Sequence, residues 1–250
     1  MGEKKEMNVY VYVFMITSVT ALILSLLYTS LDPIFQANKA EAKKVAILSC
    51  IPDSIDLENP EMVKAEYNKI KMVAITKSGQ VYTKDDLAKI NETAVSGVKK
   101  YSALAELDLA NEEKRAEESR LYPVYEYNGA KGKTYIVAIR GNGLWDKIWG
   151  YIALEDDLNT IAGVFFDHKG ETPGLGAEIK DNSGFKEQFI GKKIFEGTNV
   201  ALTVLKRKKK GEHFVTGISG ATITCDGVTA MFDNGMSKYE SYFEQLKLKK

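Results

Sequence analysis

The stretch Val9–Tyr28, VYVYVFMITSVTALILSLLY, divides this chain into two parts of different physical character. It contains no Asp, Glu, Lys or Arg, and at 1.5 Å rise per residue about 20 residues cover roughly 30 Å, the thickness of a bilayer's hydrocarbon core. Roughly eleven of its positions are Val, Leu, Ile or Phe, each worth about −0.3 to −0.6 kcal/mol at a helix centre. The sum, about −3 to −7 kcal/mol, is reduced but not reversed by Thr17, Ser18, Thr20 and Ser25. A cleaved signal peptide would have a shorter apolar core of about 7 to 15 residues, and a buried globular helix would show a polar face. The pattern therefore predicts a membrane-spanning helix, with Tyr10, Tyr12 and Tyr28 suited to the interfacial aromatic belts. Its direction is left open, because Lys4 and Lys5 are matched by Glu3 and Glu6 while Lys39, Lys43 and Lys44 follow the segment.

Outward from this segment, nothing approaches 18 uncharged apolar residues again, so the remaining chain is expected to form one soluble body. The predicted organisation is a tip over 1–8, a transmembrane helix over 9–31, an amphipathic connector over 32–50 and a soluble domain over 51–250. Asn59-Pro60-Glu61 reads as N-cap, first-turn proline and first-turn acid of a helix reaching about Ile70. Lys71 to Thr83 reads as a strand pair around Ser78-Gly79, and Leu121 to Arg140 as a hairpin around Asn128-Gly129. Between them, the Ala-, Glu- and Lys-rich run Asn91 to Arg120 is expected to be partly helical with solvated charges. Tyr151–Leu154, Ile161–Phe166 and Val200–Leu205 are strand candidates, and Ser183–Ile190 a short helix. After Gly227, Val228, Met231, Phe232, Met236, Tyr239, Phe243 and Leu246 recur at three and four, predicting a final amphipathic helix. The mixed order gives an α+β class.

Composition removes several functions. The 250 residues carry 34 Lys and Arg against 34 Asp and Glu, which makes nucleic-acid binding the poorer reading. Cys50 and Cys225 are the only cysteines, and His168 and His213 the only histidines, too few for a disulfide scaffold, an iron–sulfur cluster or a multi-histidine metal or haem site. No metal ligands are therefore assigned, and Cys225 is read as a packing residue.

Three segments are unusual enough to carry chemistry. Gly141-Asn142-Gly143-Leu144-Trp145 follows a predicted strand and presents an aromatic plane, either to stack on a ligand ring or to enter the core. Glu171-Thr172-Pro173-Gly174-Leu175-Gly176 forces a tight loop whose N–H groups a ligand can approach. It is neither a phosphate loop nor a dinucleotide fingerprint, and alone it is equally a plain turn. Ser219-Gly220-Ala221-Thr222-Ile223-Thr224 joins a strand to the final helix. Its small residues admit a bulky group, and free N–H groups at the positive end of a helix dipole stabilise a phosphate by up to about 1 to 2 kcal/mol. The competing reading is that Thr222 or Thr224 merely caps the helix.

The Ser219–Thr224 segment resembles the flavinylation motif of the membrane FMN-binding subunits of sodium-translocating NADH:quinone reductase and of the related Rnf complex. The likeness, closer to the C subunit of the reductase, extends to Gly143-Leu144-Trp145, Tyr151–Leu154, Asp157-Leu158-Asn159-Thr160 and Glu171–Glu178 and, with the anchor, covers most of the chain. It implies an anchor helix followed by a mixed α+β FMN-binding domain, with FMN joined through a phosphoester to the Thr224 hydroxyl by a separate flavin transferase that uses FAD and Mg²⁺. It further implies Ser219, Gly220, Ala221 and Thr222 beside the phosphate and ribityl tail, Glu171, Thr172, Gly174, Leu175 and Gly176 along the ring, and Leu144 and Trp145 over one face. Lys206 would lie near the phosphate, although the Lys206–Lys210 run also reads as an exposed turn.

The implied activity is electron relay within a bacterial inner-membrane complex that oxidises NADH, reduces quinone and exports Na⁺, with the flavin domain periplasmic and NADH oxidation and the ion path supplied by partner subunits. Two alternatives stand: an Rnf-type ferredoxin:NAD complex, and a flavin-free, membrane-anchored assembly subunit. Cys225 and the lysine run depart from the family pattern without disturbing it.

Overall fold

The computed structural model describes residues 8–53, 55–92, 97–207 and 209–249. The apolar stretch lies inside one helix, α1 (Val9–Ser49), which includes Pro33. None of its apolar 18-residue window is buried, and the helix is long and apolar enough to cross a membrane. The last turn differs, because Ala46, Ile47 and Leu48 are buried. Contacts divide the chain between Lys43 and Lys44, inside the segment expected as a connector.

In the unit from Lys44 onward, α2 (Pro60–Tyr67) starts as its sequence demands. The Asn59 side chain accepts the N–H of Glu61 at 3.0 Å and of Met62 at 3.4 Å, and Pro60 occupies a position whose N–H needs no partner. The main sheet has six strands in the order β2-β1-β3-β4-β5-β6: β1 (Lys71–Ile75), β2 (Val81–Tyr82), β3 (Tyr122–Gly129), β4 (Gly132–Asn142), β5 (Lys147–Leu154) and β6 (Ile161–His168). Every neighbouring pair is antiparallel.

The β3–β4 turn sits two residues later than expected. Asn128 pairs with Lys133 and Gly129 with Gly132, leaving Ala130-Lys131 as the turn. The Asp53 carboxylate accepts the N–H of Ala130 at 2.9 Å and of Lys131 at 3.2 Å, and Gly132 takes the left-handed φ of 111° that closes the hairpin. Strand side chains alternate between two cores. Val137, Ile139, Ile152 and Leu154 face the larger one, while Ile136 and Ala153 face a second that includes Ile47, Leu48 and Tyr125.

The region expected to be partly helical, Asn91 to Arg120, holds the last two residues of α3 (Leu87–Glu92) and all of α4 (Leu109–Glu112), and its residues 93–96 lie outside those described. Its charges are not all solvated, because Glu112 and Arg115 are buried and paired at 3.0 Å. The Glu112 carboxylate also accepts the Tyr101 hydroxyl at 2.7 Å and the Leu121 N–H at 2.9 Å, the full satisfaction that a desolvated ion pair needs.

Beyond β6 come α5 (Glu178–Asp181), α6 (Ser183–Glu187), the paired β7 (Phe195–Glu196) and β8 (Asn199–Val200), then β9 (Thr203–Leu205) and β10 (Phe214–Thr216). Strands β9 and β10 run parallel, with Thr203 beside Phe214, so the lysine-bearing link between them is not a hairpin turn. The expected final helix is two, α7 (Thr222–Met236) and α8 (Glu240–Lys247). At the break, the buried Tyr239 donates its hydroxyl to the Ala138 carbonyl at 2.7 Å. Val228, Met231, Phe232, Met236, Tyr239 and Phe243 all enter the larger core. A Cβ at Gly141 would lie 2.8 Å from Met231 Cβ, so α7 packs closely on the end of β4 and brings its own start beside the β4–β5 turn.

Candidate functional site

Three loops converge where α7 begins, and they are the three segments singled out in the sequence. The β4–β5 turn closes with the Gly143 N–H donating to the Asp146 carbonyl at 2.8 Å and contributes Leu144. The segment leaving β6 contributes Glu171, Thr172, Leu175 and Gly176, and the α7 start contributes Gly220, Ala221, Thr222, Ile223 and Thr224. Together they line a cavity of about 200 Å³. Trp145 stands at its edge, 68% exposed, and its indole Nε1–H donates to Thr172 Oγ1 at 3.0 Å, which excludes the core role. Gly174 forms the loop's turn at φ 74°, and Ser219 precedes the left-handed Gly220 at φ 80°. Lys206 is exposed on the β9–β10 link and does not line the cavity, so the expected phosphate neighbour is absent from this arrangement.

Glu171 ties the loops together. Only 4% exposed, its carboxylate accepts the Thr224 hydroxyl at 2.6 Å through Oε2 and the Trp145 N–H at 2.9 Å through Oε1. Its own N–H donates to His168 Nδ1 at 3.1 Å. Burial pushes the carboxyl up, but the hydrogen bonds from Thr224 and from the Trp145 and Asp146 backbone, with the neighbouring His168, outweigh it and hold the group below the usual carboxylate range. Two glycines make room for this arrangement. A Cβ at Gly143 would lie 2.5 Å from Glu171 Oε1, and one at Gly176 would strike Glu171 Oε2 and lie 2.6 Å from Thr224 Oγ1.

The two threonines have opposite environments. Thr224 is 1% exposed with its hydroxyl engaged by Glu171, whereas Thr222, the first residue of α7, is exposed. Neither is the helix cap, since Ala221 holds that position and no side chain caps the helix. The positive end of a 15-residue helix therefore opens at the cavity beside Gly220 and Ala221, an arrangement that favours a phosphate. Ile223, which sequence reasoning passed over, lines the cavity while 58% exposed. With Leu144, Trp145 and Leu175 it forms an exposed apolar rim.

A helix start whose dipole favours an anion on one side and an apolar rim on the other suit the two ends of a flavin mononucleotide. The cavity is smaller than the roughly 300–1,000 Å³ of an ordinary ligand pocket, so the rim must supply part of the contact with a planar ring. Cys225 is a packing residue, its Sγ accepting the Ile218 N–H at 3.2 Å, and it and Cys50 are both free and buried in separate cores.

The FMN-binding domain family model matches residues 143–237, a span that holds all three loops. The Na(+)-translocating NADH-quinone reductase C subunit of Vibrio parahaemolyticus is 37% identical over 155 residues, 61% of this chain and 56% of its own length. Its namesake in Vibrio anguillarum is 40% identical over 132 residues, 52% of this chain and 51% of its own, so the matched stretch spans about half the length of these relatives. The Neisseria meningitidis namesake is 31% identical over 244 residues, 95% of this chain and 93% of its own. Among solved structures, the C subunit of the reductase from Parabacteroides distasonis superposes with a TM-score of 0.68 at 30% identity, covering 85% of this chain and 96% of that one. NqrC of Shewanella oneidensis gives 0.67 at 26% identity, covering 85% and 99%.

Proposed function

Because this chain belongs to the C subunit family of the Na(+)-translocating NADH-quinone reductase, we propose that it is a covalent FMN carrier that relays electrons inside a membrane complex oxidising NADH, reducing quinone and exporting Na⁺. The observation that carries this reading is the exposed Thr222 at an uncapped helix start, inside the span matched by the FMN-binding domain family and lining a cavity with an apolar rim. Bound FMN supplies one-electron redox chemistry, and the protein supplies its orientation and surroundings.

The resemblance in the sequence pointed to Thr224 as the tether. Its burial and its bond to Glu171 favour Thr222 instead, with the phosphoester on Thr222 Oγ1 and a flavin transferase using FAD and Mg²⁺ installing it. Thr224 remains the second reading because it lines the same cavity. Gly220 and Ala221 then admit the phosphate to the backbone at the dipole's positive end. Leu144, Leu175 and Ile223 offer apolar surface to the ring, and Trp145, held by Thr172, covers one side. Thr224, Glu171, Gly174 and Gly176 shape the loops that hold these groups.

NADH oxidation and the ion path belong to partner subunits in this reading. The chain has no Gly-x-Gly-x-x-Gly fingerprint, and Val9–Tyr28 holds no acid or base. Residues 9–31 serve as a single-pass anchor in the bacterial inner membrane, with the amino end cytoplasmic and the flavin domain periplasmic.

Full-length protein co-expressed with a flavin transferase tests the assignment by in-gel fluorescence after denaturing electrophoresis. Wild type and Thr224→Val are expected to give a fluorescent band and Thr222→Ala none. The reverse pattern moves the tether to Thr224, and a dark wild type ends the covalent reading.

A further inference from the structure

Glu171 is the only ionisable side chain among the residues lining the cavity. Among the described residues it has no lysine or arginine partner: its carboxylate bonds come from the Thr224 hydroxyl and the backbone at Trp145 and Asp146, and the neighbouring His168 accepts the Glu171 N–H through Nδ1. Those bonds bring no formal counter-charge, and at 4% exposure the residue offers little surface to water. The carboxylate is also fixed in place. Its two oxygens are held from two different segments, by the Trp145 N–H and by the Thr224 hydroxyl, in space that only glycine at positions 143 and 176 leaves open. A clamp between loops needs no charge: a neutral amide can accept the Trp145 N–H through its oxygen and donate its NH2 to Thr224 Oγ1, which accepts as well as donates. A full charge in an otherwise uncharged cavity asks for a further reason.

We propose that Glu171 is an electrostatic positioning residue whose fixed negative charge lowers the reduction potential of the flavin bound at this cavity. The proposal rests on the flavin reading above. Each electron that the ring accepts from a reductant adds negative charge beside an unpaired carboxylate, and the low effective dielectric of the buried site makes that repulsion stronger than in water. Glu171 thereby biases the relay toward passing its electron on. Hydrogen bonds to the carboxylate keep it ionised at neutral pH, so the bias is present where the complex works.

The test is a dithionite titration, with indicator dyes, of the full-length flavin-loaded protein and of Glu171→Gln. The glutamine keeps the shape and an acceptor oxygen but carries no charge. Its midpoint potential is expected to rise, and each tenfold change in the one-electron equilibrium constant corresponds to 59 mV. Glu171→Met combined with Thr224→Val removes the charge together with the hydroxyl bound to it and is expected to raise the potential above that of Thr224→Val alone. It keeps the proposal testable should Glu171→Gln not fold. A loaded Glu171→Gln with the wild-type potential overturns the proposal, and so does a Glu171→Met, Thr224→Val double variant with the potential of Thr224→Val where Glu171→Gln does not fold. A wild type without covalent flavin fails differently, on the gel and before any titration, and overturns the reading beneath it.

Discussion

Two buried carboxylates in the unit from Lys44 onward are handled in opposite ways. Glu112 meets Arg115 at 3.0 Å, accepts the Tyr101 hydroxyl and the Leu121 N–H, and closes a packed corner of short helices. Glu171 accepts an O–H and an N–H but meets no lysine or arginine among the described residues, and it lines an open cavity. The first arrangement neutralises its charge where it is buried. The second leaves the charge in place and aims it at a space that a ligand can enter. Burial alone therefore does not single out a candidate site acid; burial without a lysine or arginine partner, beside a cavity, is what sets Glu171 apart.

The comparison is broken most forcefully at Glu112. Glu112→Ala strands the Arg115 guanidinium in the interior and is expected to cost about 3–5 kcal/mol, read as a fall in melting temperature. Next in size is Gly176→Ala, whose Cβ must displace Glu171 or Thr224. It is expected to cost up to about 3 kcal/mol and to abolish flavin loading, the second effect absent from Glu112→Ala variants that still fold. Thr224→Val removes a donor to a charged acceptor and is expected to cost about 1.5–3 kcal/mol.

That last variant also changes acid stability. The carboxyl of Glu171 is held low in the folded state, so its stabilisation is present above the unfolded value of about 4.3 and is lost as pH falls through the folded one. Thr224→Val moves the folded value up, narrows the gap and weakens the pH dependence of unfolding below about pH 5. The smallest stability change, within about 0.5 kcal/mol, is expected for the exposed Trp145→Ala, with a shift in flavin fluorescence as its larger consequence.

Much of this architecture was legible in local patterns. The Asn59-Pro60 start, the two strand pairs and the core stripe Val228, Met231, Phe232, Met236 follow from chemistry within a few residues, and the structure shows each. The three loops were also visible as unusual composition. What local pattern did not give was decided by distant partners. Asp53 shifts the β3–β4 turn to Ala130-Lys131, Arg115 draws Glu112 inside, and the parallel pairing of β9 with β10 takes Lys206 away from the cavity.

The two threonines are an instructive case, because a signal was present. At about 100° per residue, positions two apart on a helix point to nearly opposite sides. Thr224 lies four residues before Val228 and eight before Phe232, on the core stripe, while Thr222 is followed at the same spacing by Asp226 and Ala230. The periodicity that found the helix thus also separates a buried hydroxyl from an exposed one. Ile223, exposed between them, is explained only by the rim it completes.

The most direct measurement is tandem mass spectrometry of the tryptic peptide Gly211–Lys238 from full-length protein matured with a flavin transferase. The predicted result is the mass of an esterified FMN on that peptide, with fragment ions placing it on Thr222. An unmodified peptide contradicts the covalent flavin carrier, and a modification on Thr224 contradicts the purely structural role of the Glu171–Thr224 bond.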